Sequence, residues 1–129
     1  MRNDKKEAIR LFSLAITRGT GRCENNACRS QYRGVLTCAH NVKCRFDQVR
    51  TDTRNAFCLC FDCHRYFEDH NEEFKAWVET TWAHRYMPEL LRKANSTMVQ
   101  KVDWKERIEF LTDIVVGLKT LKQARLEEL

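Results

Sequence analysis

The clearest chemistry in this 129-residue sequence lies in four cysteines. Cys23 and Cys28 are spaced C-x4-C, and Cys60 and Cys63 are spaced C-x2-C. Two such pairs are a usual way to surround a tetrahedral zinc ion with four thiolates. Each pair closes a small loop that puts two sulfurs on one side of the metal, and a small domain gains folding free energy from that closure. All seven cysteines fall between positions 23 and 63, and an odd number cannot pair off completely in disulfides. The N-terminal stretch MRNDKKEAIRLFSLAI starts basic, but Lys5, Lys6, Glu7 and Arg10 interrupt any signal-peptide core. An intracellular location is therefore expected, where disulfides are rare, and a structural zinc ion is the better reading.

The cysteine segment leaves alternatives open. Residues 58–63 read C-x-C-x2-C, so Cys58 competes with Cys60 as a ligand. On a strand both would point to one face. Cys60 is favoured because it lies nearer the turn that Cys63 closes. Cys38 and Cys44 read as small buried hydrophobes, although with Cys58 they would also make a second metal site.

These residues need elements to hold them. Residues 4–17 read as an amphipathic helix stopped by Gly19 and Gly21. Residues 23–33 (CENNACRSQYR) read as a turn-rich knuckle. A short strand, Val35 to Cys38, follows Gly34 and ends at His40. The polar, basic stretch 41–54 reads as a long loop near a ligand. Ala56 to Cys60 is a second strand, and residues 62–69 start a helix with Asp62 as its N-cap. Helices follow over roughly 71–83 and around Tyr86, Leu90 and Leu91, with Pro88 in a first turn. Residues 92–103 connect elements. Trp104 to Leu129 reads as one long helix with a stripe of Trp104, Ile108, Leu111, Val115 and Leu118. The reading divides the chain into a domain over 1–95 and a helical extension over 96–129.

Hydrophobic residues make up 43% and charged residues 32%, a globular balance with no run long enough to span a membrane. The net charge of +5 is unevenly spread. Residues 1–60 hold 12 Lys/Arg against 5 Asp/Glu, and residues 61–129 hold 11 against 13. A basic half around the cysteines suits a polyanion such as nucleic acid.

The stretches CENNAC, LTCAHN and RNAFCLCFDCHRYFEDH, within residues 23–70, resemble the HNH endonuclease motif in its zinc-braced, phage-type form. The resemblance extends over roughly residues 8–80. It implies an α+β, mostly helical fold: a ββα-metal (His-Me finger) core with a four-cysteine zinc site and flanking helices. It places the signature residues at His40, Asn55 and His64. His40 would be the general base that activates water. Asn55 would orient the loop and His40. His64 would bind a catalytic divalent ion, whether Mg²⁺, Mn²⁺, Ni²⁺ or Zn²⁺. The residue before the first histidine is often a ligand in the family, and here it is Ala39. Asp69 and His70 are then the nearest candidates to complete the metal shell, with Glu68 and Asp52 as further ones. Lys43, Arg45, Arg50, Arg54 and Arg65 flank the site and would grip phosphates. His84 stands outside the signature and reads as a surface or helix-packing residue.

The chemistry fits these types. Phosphodiester hydrolysis needs a nucleophile, a Lewis acid and stabilisation of developing negative charge, and imidazole titrates near working pH. The expected function is a metal-dependent DNA endonuclease, a phosphodiester hydrolase acting on double-stranded or branched DNA inside the cell, which is the bacterial cytoplasm if the chain is phage- or bacteria-encoded. The alternative is a non-catalytic zinc module that binds nucleic acid. A third reading makes the 104–118 stripe a docking face for a homodimer or another assembly partner, against simple packing onto the domain, which is favoured.

Overall fold

A computed structural model describes residues 3–31, 33–43, 47–96 and 101–128. It is mostly helical, with a small two-stranded sheet. Helix α1 spans Asp4–Thr20, and the Asn3 side chain caps it by accepting from the Lys6 amide at 3.0 Å. The helix continues past Gly19 and ends at Gly21, whose φ of 79° is left-handed. Ala8, Leu11, Phe12, Ala15 and Ile16 form its buried face, at helical spacing.

Strand β1 (Leu36–His40) pairs antiparallel with β2 (Ala56–Cys60), with Cys38 opposite Cys58 and His40 opposite Ala56. β2 is buried on both faces. Ala56 and Cys58 face α1, while Phe57 and Leu59 face an aromatic cluster with Phe67, Phe74, Trp77 and Trp82. Helix α3 (Phe61–Asp69) follows β2 directly. Its N-cap is Cys60 rather than Asp62, and the Cys60 sulfur accepts from the Cys63 amide at 3.4 Å. Strand alternation ends there. Cys60 packs with Cys23 and Cys63, while Cys58 stays on the α1 side, so the two cysteines do not share a face.

Residues 47–55, between the strands, are more ordered than their polarity suggested. They include α2 (Asp47–Arg50) and a 3-10 turn (Thr53–Asn55), and residues 51–55 are buried. Helix α4 (Asn71–Glu79) is shorter than the 71–83 expected. A 3-10 turn over Trp82–Tyr86 leads into α5 (Met87–Ala94), which has Pro88 in its first turn.

The expected C-terminal helix is two helices, α6 (Trp104–Val115) and α7 (Leu121–Glu127). Gly117 adopts φ 82°, a conformation that costs little without a Cβ. The amides of Leu118 and Lys119 both turn back to the Asp113 carbonyl. Thr120 and Gln123 form a capping box that starts α7. Leu118 leaves the stripe and is 78% exposed. Leu111, Ile114, Leu121 and Ala124 share one core with Leu11, Phe12, Ile16, Ala56 and Cys58. The C-terminal segment thus completes the core that α1 and β2 begin. Among the described residues, no helix is long and apolar enough to cross a membrane.

Candidate functional site

The sulfurs of Cys23, Cys28, Cys60 and Cys63 all lie within 4.8 Å of one another. Cys28 Sγ and Cys60 Sγ are 3.5 Å apart. Zinc–sulfur bonds of about 2.3 Å in a tetrahedron set sulfurs about 3.8 Å apart, whereas a disulfide needs about 2.05 Å. The spacing is that of a metal cage, and none of the six described cysteines is in a disulfide. Donors already point at the sulfurs: the Arg29 amide reaches Cys63 Sγ at 3.3 Å and Asn25 Nδ2 reaches it at 3.5 Å. Burial pushes the Cys23 and Cys63 thiols up, so a metal bound here would have to displace their protons. The four residues fit zinc, and among the described residues they are the one cluster of three or more potential metal-binding side chains.

The knuckle that carries Cys23 and Cys28 is fastened to the sheet by Glu24. Its carboxylate accepts from the Cys58 amide at 2.8 Å and from Trp82 Nε1 at 2.9 Å. Gly34 closes the knuckle, and a Cβ there would meet Ser30 Oγ at 2.8 Å and Cys60 Cβ at 3.1 Å. Cys38 and Cys58 are a cross-strand pair packed with the α1 core. Burial and neighbouring Glu24 push the Cys58 thiol up to about 12. Cys44, the third member of the alternative second site, lies outside the described residues.

His40 ends β1 and packs against Phe12 of α1, with ring centroids 5.4 Å apart. Its Nε2 lies 3.0 Å from the Arg50 carbonyl oxygen. A carbonyl only accepts, so Nε2 carries the proton and Nδ1 of the neutral ring keeps its lone pair. Burial lowers the His40 pKa below its ordinary value of 6.5, with the Arg50 and His64 charges adding to the effect against the carbonyl hydrogen bond. Asn55 sets up that carbonyl. Its Oδ1 accepts from the Val42 amide at 2.7 Å, and its Nδ2 donates to the Val42 and Val49 carbonyls at 3.1 and 3.0 Å. Asn55 is fully buried, and its side chain ties Val42 to Val49.

His64 sits in the first turn of α3. Thr37 Oγ1 donates its proton to the Leu59 carbonyl at 2.7 Å, so at 2.8 Å from His64 Nδ1 it accepts. The remaining ring nitrogen, Nε2, lies 3.1 Å from Glu68 Oε1. Helical spacing puts residue i+4 beside His64, and the structure therefore gives it Glu68 rather than Asp69 or His70. His70 Nδ1 donates to the Tyr66 carbonyl at 2.8 Å, and the His70 ring stacks on Tyr66. Asp69 is exposed, and among the described residues no cluster of three potential ligands includes His64, Asp69 or His70. Asp52 is buried with Arg54 and Lys93, away from this role.

The basic residues separate. Arg54 is buried and held by Asp52 at 2.7 Å and Glu89 at 3.3 Å, so it cannot grip a phosphate. Lys43 and Arg65 are exposed, and Arg50 is half-buried. Arg45 lies outside the described residues. His40 and His64 line one cavity of about 650 Å³, together with Asn41, Lys43, Glu68 and His84. Sequence reasoning gave Asn41 no role and left His84 as surface or packing; only the proximity of Asn41 to His40 hinted at its position. Comparison with protein-family models, curated proteins and solved structures finds no match to this chain.

Proposed function

We propose that this protein is a metal-dependent endonuclease of the HNH kind, built on a ββα-metal core with a structural zinc. The supporting observation is that His40 and His64 line one cavity, with tautomers set by opposite partners. His40 is left with an Nδ1 lone pair, and His64 is left with Nε2 beside a carboxylate. In this reading His40 Nδ1 takes a proton from water as the water oxygen attacks phosphorus, and the bond to the leaving oxygen breaks. His64 and Glu68 would hold the divalent ion, with Glu68 in the place of the acid that Ala39 lacks. The two side chains already stand together, with His64 Nε2 3.1 Å from Glu68 Oε1. Bound there, the ion would supply Lewis-acid stabilisation of the developing charge. DNA would be held by the exposed Lys43 and Arg65.

Zinc-loaded protein is expected to convert supercoiled plasmid to nicked or linear DNA with Mg²⁺, Mn²⁺ or Ni²⁺. His40→Ala should abolish cutting and keep the zinc content. Equal cutting by both proteins would overturn the assignment. A second reading, a zinc module that binds nucleic acid without cutting it, is favoured by Ala39, which is buried and cannot ligate. Salt-sensitive DNA binding without cleavage under any divalent ion would select it.

A further inference from the structure

A neutral imidazole carries one proton, on either ring nitrogen, and only one choice leaves His64 able to bind an ion beside Glu68. His64 Nε2 lies 3.1 Å from Glu68 Oε1. A proton on Nε2 would be donated to that carboxylate, and the lone pair that a metal needs would be gone. A proton on Nδ1 leaves the Nε2 lone pair and the carboxylate side by side, as two electron donors. An imidazole beside a carboxylate suits a transition ion such as Mn²⁺ or Ni²⁺ better than Mg²⁺. The group that faces Nδ1 therefore decides whether the pair can hold an ion.

That group is Thr37. It stands opposite Leu59 in the strand register, and β2 runs directly into α3, so the first turn of α3 brings His64 back to β1. The Thr37 hydroxyl has one proton. The Leu59 carbonyl, 2.7 Å away, can only accept, so it takes that proton. Toward His64 Nδ1, at 2.8 Å, the hydroxyl then offers a lone pair, and the ring must donate. We infer that Thr37 is the positioning residue for the ion, holding His64 in the tautomer whose Nε2 can bind it. Imidazole ligands commonly donate their other N–H to a fixed acceptor, which sets tautomer and ring orientation and raises metal affinity. Thr37 and Ala39 are two residues apart on β1 and share a face of the strand. The strand thus contributes no ligand at Ala39, and its contribution at Thr37 is to orient a ligand on α3. The inference rests on the reading above that His64 and Glu68 hold a divalent ion.

The test has two arms, both on full-length zinc-loaded protein. In the first, long-range ¹H–¹⁵N spectra of the histidine rings are recorded at about pH 8, above the ordinary imidazole range. Loss of signals in His64→Ala identifies those of His64. In the second, Mn²⁺ is titrated calorimetrically into wild type, Thr37→Val, Thr37→Ser and His64→Ala. Thr37→Val keeps the β-branched shape that suits a strand and removes the hydroxyl, whereas Thr37→Ser keeps the hydroxyl. Wild type should carry the His64 proton on Nδ1. In Thr37→Val the proton should move to Nε2, and Mn²⁺ affinity should fall about tenfold or more. Thr37→Ser should retain the wild-type tautomer and affinity. A wild-type proton on Nε2, Mn²⁺ binding that is absent from wild type or survives His64→Ala, or wild-type affinity in Thr37→Val overturns the inference. So does an equal loss in Thr37→Ser, the mark of packing rather than of the hydroxyl. Mn²⁺ binding that depends on Thr37, in a protein that cuts no DNA, keeps this role and removes the nuclease. Equal cutting by wild type and Thr37→Val, with unchanged affinity, keeps the nuclease and removes this role.

Discussion

At the scale of single residues, the protein separates groups that look alike in sequence. Cys58 and Cys60 are two residues apart, but the chain bends at Cys60 to cap α3 and only Cys60 joins the metal cage. Chelating the zinc should therefore unfasten the knuckle that carries Cys23 and Cys28 and open the four thiols to iodoacetamide, while Cys58, packed in the α1 core, should stay unmodified as long as the fold persists. Peptide mass mapping with and without chelator checks this. Early alkylation of Cys58 alongside the four would contradict it. His40 gives a pH prediction. Its pKa is lowered on folding, so the folded protein keeps it neutral at pH values where the unfolded chain is already protonated. The acid limb of any cleavage rate should then fall below pH 6.5. By linkage, this group's contribution to stability is complete above about pH 6.5 and is lost as pH falls through the window below it. An acid limb centred above 6.5, measured in single-turnover cleavage, would place the base elsewhere.

Elements turn these residues into a site, and the controlling one is the 41–55 segment. Asn55 bonds both Val42 backbone groups and the Val49 carbonyl, and the fixed segment then presents the Arg50 carbonyl to His40. Asn55→Ala should lower stability by roughly 2–4 kcal/mol, about 1 kcal/mol for each of three buried hydrogen bonds plus the groups left unpaired. Urea unfolding measures this directly, and a change under 0.5 kcal/mol, about the size of an ordinary surface substitution, would show that the segment holds its shape without Asn55. The two strands, the knuckle and the position of His64 were legible in the sequence, because alternation, glycine and cysteine spacing are local signals. The compactness of 47–55 was not. Asp52, Thr53, Arg54 and Asn55 look like solvent-loving residues, and they are buried only because each finds a partner: Arg54 and Lys93 for Asp52, and Glu128 for Thr53. Lys93 and Glu128 come from distant parts of the chain, so no local pattern could announce them. The same fact removes Arg54 from the phosphate-binding set, and Glu68 displaces Asp69 and His70 because helix geometry decides which side chain stands beside His64.

For the whole molecule, the question is what the C-terminal helices are for. The apolar stripe of α6 was legible, but its break at Gly117 was not, since a single glycine inside a helical pattern is usually tolerated. The stripe lies against α1, where Leu111 and Ile114 meet Leu11, Phe12 and Ile16. Glu128 then accepts from the Thr53 amide at 2.7 Å and from Arg107 Nη1 at 2.8 Å, while Arg107 Nε donates to Thr51 Oγ1 at 3.2 Å. These contacts grip residues 51–53, next to the Arg50 carbonyl that orients His40. A chain ending at Ser96 would lose this grip and would uncover the buried face of α1. The core would lose Leu111, Ile114 and Leu121, and removing a buried aliphatic side chain costs about 2–5 kcal/mol, so the three together are comparable to the roughly 5–15 kcal/mol stability of a typical domain. We expect the shortened chain to lose cooperative thermal unfolding and to aggregate, and the full chain's sedimentation coefficient to be that of a monomer. If the shortened chain instead stayed folded with full zinc content, and only the full chain sedimented as a dimer, the stripe would be a docking face. The internal packing account of α6 and α7 would then be wrong.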